Sequence, residues 1–452
     1  MAIPLRGAVL MHGNPVVFGL NPLLVSLAIF VVTYFIIMTE RINRAIIALL
    51  GAGLMILGGV LTQAEALAGV DFNTIGLLTG MMVIVAITQK SGVFEYVAIW
   101  AAKKAKADPW GILIMLSVVT AVFSAFLDNV TTVLLVTPVL LLITNALKLN
   151  PYPYLFTEIF ASNIGGTATL IGDPPNIMIG SAAKLSFNDF VLNLTPIVAL
   201  IFILTLIPIY FIWGRKLHAS AEQRATVMAF NEKDAIKDVR LLWQSLSVLA
   251  LVVLGFILSH QLHLEPATIG MFGAALLLLL KVIGKSAQAQ SDLAHRTFGE
   301  VEWVTIFFFV GLFVVVAGIE KAGALTILAK YIVTLTGGDF VLTNFAVLWV
   351  SALLSAIVDN IPFVATMIPV IQNMAPVFGA DHLAPLWWSL SLGACLGGNG
   401  TLIGASANLV VAGFAERAGH PIRFMAYLGV AFPLMLMSIV VAMGYLYLRY
   451  LI

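Results

Sequence analysis

Long apolar runs recur along the whole 452-residue chain, and short polar or charged segments separate them. Ten of these runs approach or exceed the length of a membrane-spanning helix, which needs about 20 mostly apolar residues. They lack the period-2 alternation that β-barrel strands require. The pattern therefore predicts helices that cross a membrane at 22–38, 45–62, 73–89, 154–182, 190–213, 242–262, 266–283, 303–319, 385–412 and 424–448.

Two further apolar stretches, 110–147 and 341–376, are too long for one crossing and carry a polar pair near the middle. The pairs are Asp128-Asn129 and Asp359-Asn360. An interrupted helix at membrane depth is tolerated only within protein or beside a polar cavity, because lipid cannot satisfy its backbone groups. Each stretch is therefore predicted to be a re-entrant hairpin with its polar tip near the midplane.

Two of the ten spans, 154–182 and 385–412, are predicted to be broken helices. Glycine is unfavourable in a helix interior and proline removes a backbone donor, so clusters of both interrupt a helix. The predicted helix-breaking residues are Gly165, Gly166, Gly172, Pro174, Pro175, Gly397, Gly398, Gly400 and Gly404. The resulting helix N-termini favour anions and the unwound carbonyls favour cations, so the breaks alone do not give the sign of a substrate.

The two halves of the chain resemble each other. Segment 124–138 matches 355–369 at an offset of 231 residues, and segment 165–172 matches 397–404 at an offset of 232. The predicted organisation is an N-terminal segment 1–20, a first repeat 21–213, a charged linker 214–241 and a second repeat 242–452. Each repeat has five crossings, so the second is inserted upside down. Inverted repeats are typical of secondary transporters, whose site lies where the broken helices meet.

The distribution of Lys and Arg predicts the orientation, because cytoplasmic loops carry the excess of basic residues. If the loop at Arg41 and Arg44 is cytoplasmic, the linker is cytoplasmic too, and both termini lie on the other side. Only five of the 23 basic residues then fall outside: Arg6, Lys184, Lys321, Lys330 and Arg449.

Composition excludes several classes of protein. Hydrophobic residues make up 61% and charged residues 10%, whereas soluble proteins have about half and about a quarter. The net charge of +1 and the absence of a basic cluster argue against nucleic acid. The single cysteine offers no disulfide or metal-binding spacing, and no cofactor is expected. No HExxH or phosphate-binding loop occurs, so an enzyme is not expected and ATP energy would need a separate ATPase subunit.

Asp128 and Asp359 are the first candidates for function, because a carboxylate deep in apolar sequence costs at least about 2.5 kcal/mol. They are predicted to couple transport to a proton or another cation. The alternative is that each caps a half-helix at its hairpin tip. Asp173 matches Ala405 in the second repeat, so any role is unique to the first half, as a proton carrier or a cap.

Polar residues around the tips and breaks are the candidates for contact with a substrate. They are Asn129, Asn360, Asn163, Thr167, Thr169, Asn176, Asn399, Thr401, Ser406 and Asn408. Cys395 stands at the position of Asn163, where a thiol would suit arsenic or antimony. Cysteine is also commonly just a small buried residue.

Three phrases, 126–132, 162–176 and 397–408, carry a resemblance that extends over nearly the whole chain. Here the sequence resembles the ion transporter superfamily, in the branch that holds bacterial arsenite permeases, sodium/proton antiporters of the NhaD type and the melanosomal P protein. The resemblance implies a scaffold and a moving transport domain with two hairpins, an elevator-like motion, and often a homodimer. Dicarboxylate-carrying relatives have Ser-Asn-Thr at the hairpin tips, whereas the Ser position here is Asp128 or Asp359, and carboxylates would repel a dianion.

The resulting prediction is an all-α secondary transporter of the bacterial inner membrane that exports arsenite or antimonite in exchange for protons. Arsenite is an uncharged trihydroxy species at neutral pH, so Asn, Thr and Asp could hold it without a cationic clamp, and neither tip carries Lys or Arg. A sodium/proton antiporter remains the main alternative. An organic anion carrier, a passive channel and a membrane hydrolase are further alternatives.

Overall fold

The computed structural model describes residues 19–39 and 41–452, and within them every regular element is helical. Nearly all of the predicted N-terminal segment, Arg6 included, lies outside the described residues. The first half contains α1 (Pro22–Thr39), α2 (Arg44–Leu57), α3 (Gln63–Ala68), α4 (Phe72–Gln89), α5 (Val93–Lys104), α6 (Pro109–Phe126), α7 (Asn129–Ala146), α8 (Tyr152–Thr167), α9 (Pro174–Ala183), α10 (Phe187–Asn193) and α11 (Thr195–Ile212).

The linker contributes one short α-helix, α12 (Ala221–Met228), and two 3-10 helices, Gly214–Lys216 and Glu232–Ala235. The second half contains α13 (Val239–Ile257), α14 (Ser259–Leu262), α15 (Pro266–Val282), α16 (Ala287–Gly299), α17 (Trp303–Lys321), α18 (Ala324–Leu335), α19 (Phe340–Ser355), α20 (Asn360–Gln372), α21 (Ala375–Phe378), α22 (Ala384–Gly397), α23 (Ser406–Arg417) and α24 (Phe424–Leu446).

Eight helices of the described chain are long and apolar enough to cross a membrane. They include both arms of the first hairpin, α6 and α7. On α1, Leu24 is 65% exposed and Phe35 is 67% exposed, which suits a helix whose solvent is lipid. The prediction of an all-α polytopic membrane protein is confirmed. The upside-down insertion of the second half stays a prediction.

The chain forms two compact units. Of the described residues, one unit comprises 19–39, 41–70 and Phe307–Leu328, and the other comprises Asp71–Ile306 and Ala329–Ile452. Within the first unit, Lys321 Nζ lies 2.6 Å from Glu65 Oε2, and the Lys321 hydrogen bond lowers the pKa of Glu65 to about 2. The second unit contains both hairpins and both broken helices, and therefore every candidate site residue.

Two helix–turn–helix pairs occupy the stretches predicted to be re-entrant hairpins, and their re-entry from one face of the membrane stays a prediction. α6 ends at Phe126, Leu127 is extended, and Asp128 is the N-cap of α7. In the second half α19 ends at Ser355 and Asp359 is the N-cap of α20. An N-cap carboxylate accepts from an otherwise unpaired backbone N–H, so the Asp of each pair determines where the returning arm begins.

Both broken helices are present, but several predicted breaking residues lie elsewhere. α8 and α9 are separated by 168–173, and α22 and α23 by 398–405. Gly165 and Gly166 lie inside α8, and Gly397 is the last residue of α22. Pro174 and Pro175 begin α9, where a proline loses no hydrogen bond. Gly172, Gly398, Gly400 and Gly404 fall in the unwound segments, as predicted.

Close packing explains the glycines that do not break a helix. A Cβ on Gly165 would meet the backbone of Ala121, with its Cα at 2.5 Å, and a Cβ on Gly397 would meet the Cα of Ala352 at 2.7 Å. Gly165 and Gly397 are repeat partners, and so are Ala121 and Ala352. In each half, the first arm of the hairpin, α6 or α19, therefore lies directly against the backbone of the broken helix.

Two features escaped the sequence analysis. The half-buried helices α5 and α18 begin 231 residues apart and are only 12 residues long, too short to be predicted as crossings. The linker is also held in place: Lys103 Nζ lies 2.5 Å from Glu232 Oε2, and Arg224 Nη2 lies 2.9 Å from Asp108 Oδ1. Lys103 is therefore an ion-pair partner of the linker.

Candidate functional site

Two asparagines hold the unwound segments. Asn408 Nδ2 donates to the carbonyl oxygens of Gly398 at 2.8 Å and Thr401 at 2.9 Å. Its repeat partner Asn176 donates to the carbonyls of Thr167 at 3.2 Å and Thr169 at 2.9 Å. These carbonyls lie in or beside the breaks, where regular helical bonding ends, so each amide replaces a missing backbone donor.

These contacts determine how the central amides are oriented. Carbonyl oxygens only accept, so Asn408 presents Nδ2 to them and turns Oδ1 towards Asn163. Asn163 Nδ2 donates to Asn408 Oδ1 at 2.9 Å and to Asn399 Oδ1 at 3.0 Å. Asn163 Oδ1 then accepts from Asn129 Nδ2 at 3.2 Å. The first hairpin tip is thereby bonded to both broken helices.

Asn399 is left with an unused donor. Its Oδ1 is taken by Asn163, and its Nδ2 is buried with no hydrogen-bond partner among the described residues. A buried donor without an acceptor costs about 1–3 kcal/mol. Since the preceding contacts determine the orientation of the amide, turning it over does not remove the cost. Asn399 Nδ2 is therefore a donor available to a bound oxygen atom.

The two repeats exchange partners across the site. Asn163 of the first repeat donates to Asn408 of the second. Asn176 Oδ1 of the first accepts from Ser391 Oγ at 2.6 Å and from Cys395 Sγ at 3.6 Å. Cys395 is fully buried and stands at the repeat position of Asn163. The thiol therefore has a role in packing the two breaks together.

The first hairpin tip is a compact cap. Asp128 Oδ1 accepts from the Thr131 backbone N–H at 2.8 Å, and the Thr131 hydroxyl donates to Asp128 Oδ2. Ser162 Oγ of α8 donates to the Asn129 carbonyl at 3.0 Å. The structural alternative for Asp128, a helix cap, is therefore realised, with both carboxylate oxygens accepting hydrogen bonds from Thr131.

The second tip differs from the first. Asp359 Oδ1 accepts from the Ile361 N–H at 3.2 Å, and Ser406 Oγ donates to Asp359 Oδ2 at 2.7 Å. Asn360 Nδ2 lies 3.4 Å from both carboxylate oxygens of Asp173. The second hairpin thus contacts both broken helices through its Asp-Asn pair.

Three carboxylates converge on the breaks. Asp173 is 1% exposed within the first break, and Asp128 and Asp359 cap the two hairpin tips that are hydrogen-bonded to the broken helices. The helices and unwound segments that carry the network between 152 and 183, and between 384 and 405, contain no Lys or Arg. No group of three His, Cys, Asp or Glu side chains in the described residues could hold a metal ion. The site is therefore polar and acidic.

The predicted threonines hold backbone in this conformation. Thr167 Oγ1 donates to the Asn163 carbonyl at 2.7 Å, and Thr401 Oγ1 to the Ala356 carbonyl at 2.5 Å. Thr169 Oγ1 donates to the Ala125 carbonyl, the repeat equivalent of Ala356. Ser124 and Ser355, which are not among the predicted site residues, donate to the carbonyls of residues 162 and 394 at 2.6 Å. Both serines begin the repeated segments 124–138 and 355–369, and that repetition was the sequence signal that could have identified them.

Two hairpins and two broken helices that meet at one polar site define a polytopic membrane transporter. A model of a citrate transporter family, CitMHS, matches residues 34–393, and the chain belongs to this family. An uncharacterized transporter, Rv2684, of Mycobacterium tuberculosis is 43% identical over 94% of this chain and 98% of its own length. The human P protein is 34% identical over 93% of this chain and 59% of its own length.

Two solved transporters share the fold. The YdaH transporter of Alcanivorax borkumensis aligns with a TM-score of 0.58 at 15% identity, over 95% of this chain and 98% of its own. MtrF of Neisseria gonorrhoeae aligns with a TM-score of 0.57 at 11% identity, over 96% of both chains. At these identities the similarity concerns the fold alone.

Proposed function

We propose that this transporter exports arsenite or antimonite in exchange for protons, through the site between the hairpin tips and the broken helices. The observation that carries the proposal is the unused donor of Asn399, beside three carboxylates and without a cationic side chain in the breaks. A neutral trihydroxy species has oxygens to accept from Asn399 and hydroxyl protons to donate to carboxylates.

The proton is assigned to the carboxylates Asp128, Asp173 and Asp359. Three carboxylates within electrostatic reach of one another repel, so the loss or gain of one proton changes the stability of the cluster. When the neutral substrate leaves, its hydroxyl groups no longer donate to the carboxylates, and a proton taken up by one carboxylate then relieves the repulsion within the cluster. This exchange makes the cycle an antiport.

Sodium/proton exchange is the second candidate. The convergence of three carboxylates beside unwound backbone carbonyls favours it, since hard cations prefer oxygen ligands. It leaves the Asn399 donor unexplained, because a cation has no use for an N–H group.

The family description raises citrate as a further substrate. A citrate anion offers acceptors to Asn399, but it would enter a site with three carboxylates and no Lys or Arg in the breaks. Electrostatic repulsion between carboxylates in a low-dielectric site argues against a bare organic anion. Citrate therefore serves as a test substrate for the least favoured alternative.

The proposal extends to the setting of the protein. It places the chain in a bacterial inner membrane with both termini non-cytoplasmic and the linker cytoplasmic, working by an elevator-like motion as a homodimer. An ATPase subunit could add energy, but the proton cycle does not need one.

The decisive experiment measures proton movement in proteoliposomes that contain the purified chain and no ATP. Arsenite, antimonite, sodium and citrate are added in turn to vesicles with an acidic lumen, and a pH-sensitive dye reports proton release. We expect release with arsenite and antimonite. A response to sodium alone would exclude the metalloid proposal and leave the cation antiporter.

Variants separate transport from helix capping. Asp128→Asn, Asp359→Asn and Asp173→Asn are expected to abolish the coupled response. Asp339→Asn is the matched control, because Asp339 is an exposed helix cap whose Oδ1 accepts from Leu342 N–H at 2.7 Å. Asn399→Ala removes the unused donor and is expected to lower the proton release driven by arsenite more than any release driven by sodium.

A further inference from the structure

We propose that Glu158 is a second proton-binding position, outside the substrate site, which passes protons between the predicted cytoplasmic end of α8 and Asp128 at the first hairpin tip. The inference rests on the proposed proton coupling and adds a route by which protons reach the site. It starts from a buried carboxylate that the substrate site does not use.

Glu158 lies in the middle of α8 and is 1% exposed. Its Oε1 accepts from Thr137 Oγ1 of α7 at 3.0 Å. Its Oε2 is buried and has no hydrogen-bond partner among the described residues. A carboxyl group with one free oxygen in an apolar interior has room to bind and release a proton.

Within 19–39 and 41–452, no ion pair involves this carboxylate. The helices packed against α8 are α6, α7, α11, α22 and α23, and the first four contain no Asp, Glu, Lys or Arg. On α23 the charged residues are Glu416 and Arg417, at its last turn. The other titratable groups on these helices and on α8 are Tyr152, Tyr154, Tyr210 and Cys395. The helix α24, which carries no Asp, Glu, Lys or Arg, also contacts α8 through Tyr427, whose ring centroid lies 5.2 Å from that of Phe156. Among the described residues, the Thr137 hydroxyl is the hydrogen-bond partner of the Glu158 carboxyl group.

The fold does not require a carboxylate here. The repeat position of Glu158 is Leu390 of α22, which is fully buried. The same place in the second half is therefore filled by an apolar side chain. Because a buried carboxylate is costly at membrane depth, its presence in one half only points to a task beyond packing.

The position of Glu158 connects it to the hairpin tip. α7 and α8 run antiparallel, because Asn129 contacts Asn163 near the tip and Thr137 contacts Glu158 further along. Between these two contacts on α7 lies Thr132, one helical turn from Asp128. The Thr132 hydroxyl is fully buried and has no hydrogen-bond partner in the described part of the chain.

A hydroxyl group on α8 also lies between Glu158 and the first hairpin tip. Ser162 follows Glu158 by one helical turn, and side chains four residues apart share a face. Ser162 Oγ donates to the Asn129 carbonyl, beside Asp128. Hydroxyl groups therefore flank the interval between the two carboxyl groups on both helices.

The proton step conserves atoms and charge. An O–H bond breaks at Glu158 and one forms at Asp128, while the hydroxyl groups or water between them each accept one proton and release another. Glu158 ends as a carboxylate and Asp128 as a neutral acid. A proton from the predicted cytoplasmic side then restores Glu158.

Glu158→Gln is the test variant, since the amide keeps the acceptor for Thr137 but cannot carry the proton. In proteoliposomes it is expected to lower pH-driven flux by about tenfold or more, in line with the loss of a proton-transfer group. Substrate counterflow at equal pH on both sides should stay within about twofold of wild type, because it needs no net proton transfer. Glu158→Leu, which copies position 390, should behave in the same way.

An infrared measurement gives a readout that needs no substrate. Difference spectra recorded between two pH values show the carbonyl stretch of each carboxylic acid that gains a proton. We expect one such band to vanish in Glu158→Gln and to persist in Asp339→Asn. Unchanged spectra in Glu158→Gln would overturn the inference, as would a lost band with intact pH-driven flux.

The two proposals fail in different ways. If the proposed function is wrong, wild-type protein shows no pH-driven flux of arsenite or antimonite. If wild-type flux is pH-driven and Glu158→Gln matches it, the relay is wrong and the proposed function stands.

Discussion

Replacing Gly397 by Ala tests the packing of a broken helix against its hairpin. A Cβ at this position would lie 2.5 Å from the Ala352 carbonyl oxygen and 2.7 Å from its Cα. Both neighbours are backbone atoms of α19, so no side-chain rotation relieves the contact. α22 and α19 must move apart to accommodate one methyl group.

Two opposing effects determine the sign of the change. Alanine has a helix propensity about 1 kcal/mol better than glycine in a helix interior, and less at the last residue of α22. Overpacking a well-packed core typically costs about 1–3 kcal/mol. The contacts below 3 Å to backbone place Gly397→Ala at the upper end of that range, so we expect a net loss of about 1–2 kcal/mol.

The measurement is thermal unfolding in detergent, followed by tryptophan fluorescence. Trp387 and Trp388 lie on α22 itself and are 5% and 2% exposed, so they report on the helix that moves. A loss of 1 kcal/mol corresponds to a fall in Tm of about 2–4 °C for a domain of 150–250 residues.

Gly413→Ala is the matched control on α23. There the nearest atom to a Cβ is Arg417 Nη1 at 3.5 Å, an ordinary contact, so the helix propensity should dominate and raise the Tm. Gly165→Ala should act like Gly397→Ala, since it meets Ala121 in the same way. A Tm for Gly397→Ala that rises as far as that of Gly413→Ala would refute the reasoning.

Three further outcomes are expected. Asn408→Ala removes the donor to two buried carbonyls, and leaving each carbonyl unpaired costs about 1–3 kcal/mol, so the free energy of unfolding should fall by about 2–6 kcal/mol. The control is Asn145→Ala at an exposed position, which should change the free energy of unfolding by less than about 0.5 kcal/mol. Maleimide should label the buried Cys395 only after denaturation, and Cys395→Ala should keep arsenite transport; loss of transport with intact folding would show that the thiol binds metalloid. The hydrogen bond from Lys321 lowers the pKa of Glu65 from 4.5 to about 2, so the ion pair stabilises the fold above pH 4.5 and this contribution is lost as the pH falls towards 2. Glu65→Gln should therefore weaken the acid dependence of the free energy of unfolding. An unchanged acid profile would count against the ion pair.

Much of the fold could be predicted because the chemistry of the membrane restricts it. A polar Asp-Asn pair inside a long apolar stretch has few possible structures, and both hairpins turn at those pairs. Glycine was harder to interpret, since the same residue permits a break or a close approach. Gly165 and Gly166 permit a close approach and lie inside α8, and for Gly165 only the position of the Ala121 backbone shows this.

The structure brings the candidate residues of the two breaks together, but their contacts could not be predicted. Asn163 bonds to Asn399 and Asn408, and Asn360 to Asp173, at separations of 187 residues or more. Such pairs depend on how two distant helices cross, which local sequence does not determine. The threonines were expected at the substrate, but a hydroxyl group beside an unwound carbonyl donates to it first.

The exchange of hydrogen bonds between the two broken helices has a consequence for assembly. Asn163 of the first half donates to Asn408 of the second, and Cys395 and Ser391 of the second half donate to Asn176 of the first. Each half therefore supplies hydrogen bonds to the other at equivalent positions. Reciprocal contact of equivalent positions is the pattern of an isologous dimer interface. This polypeptide therefore carries within itself the kind of interface that joins two subunits, and a chain cut in the linker would yield two fragments that each lack the partners their buried amides need.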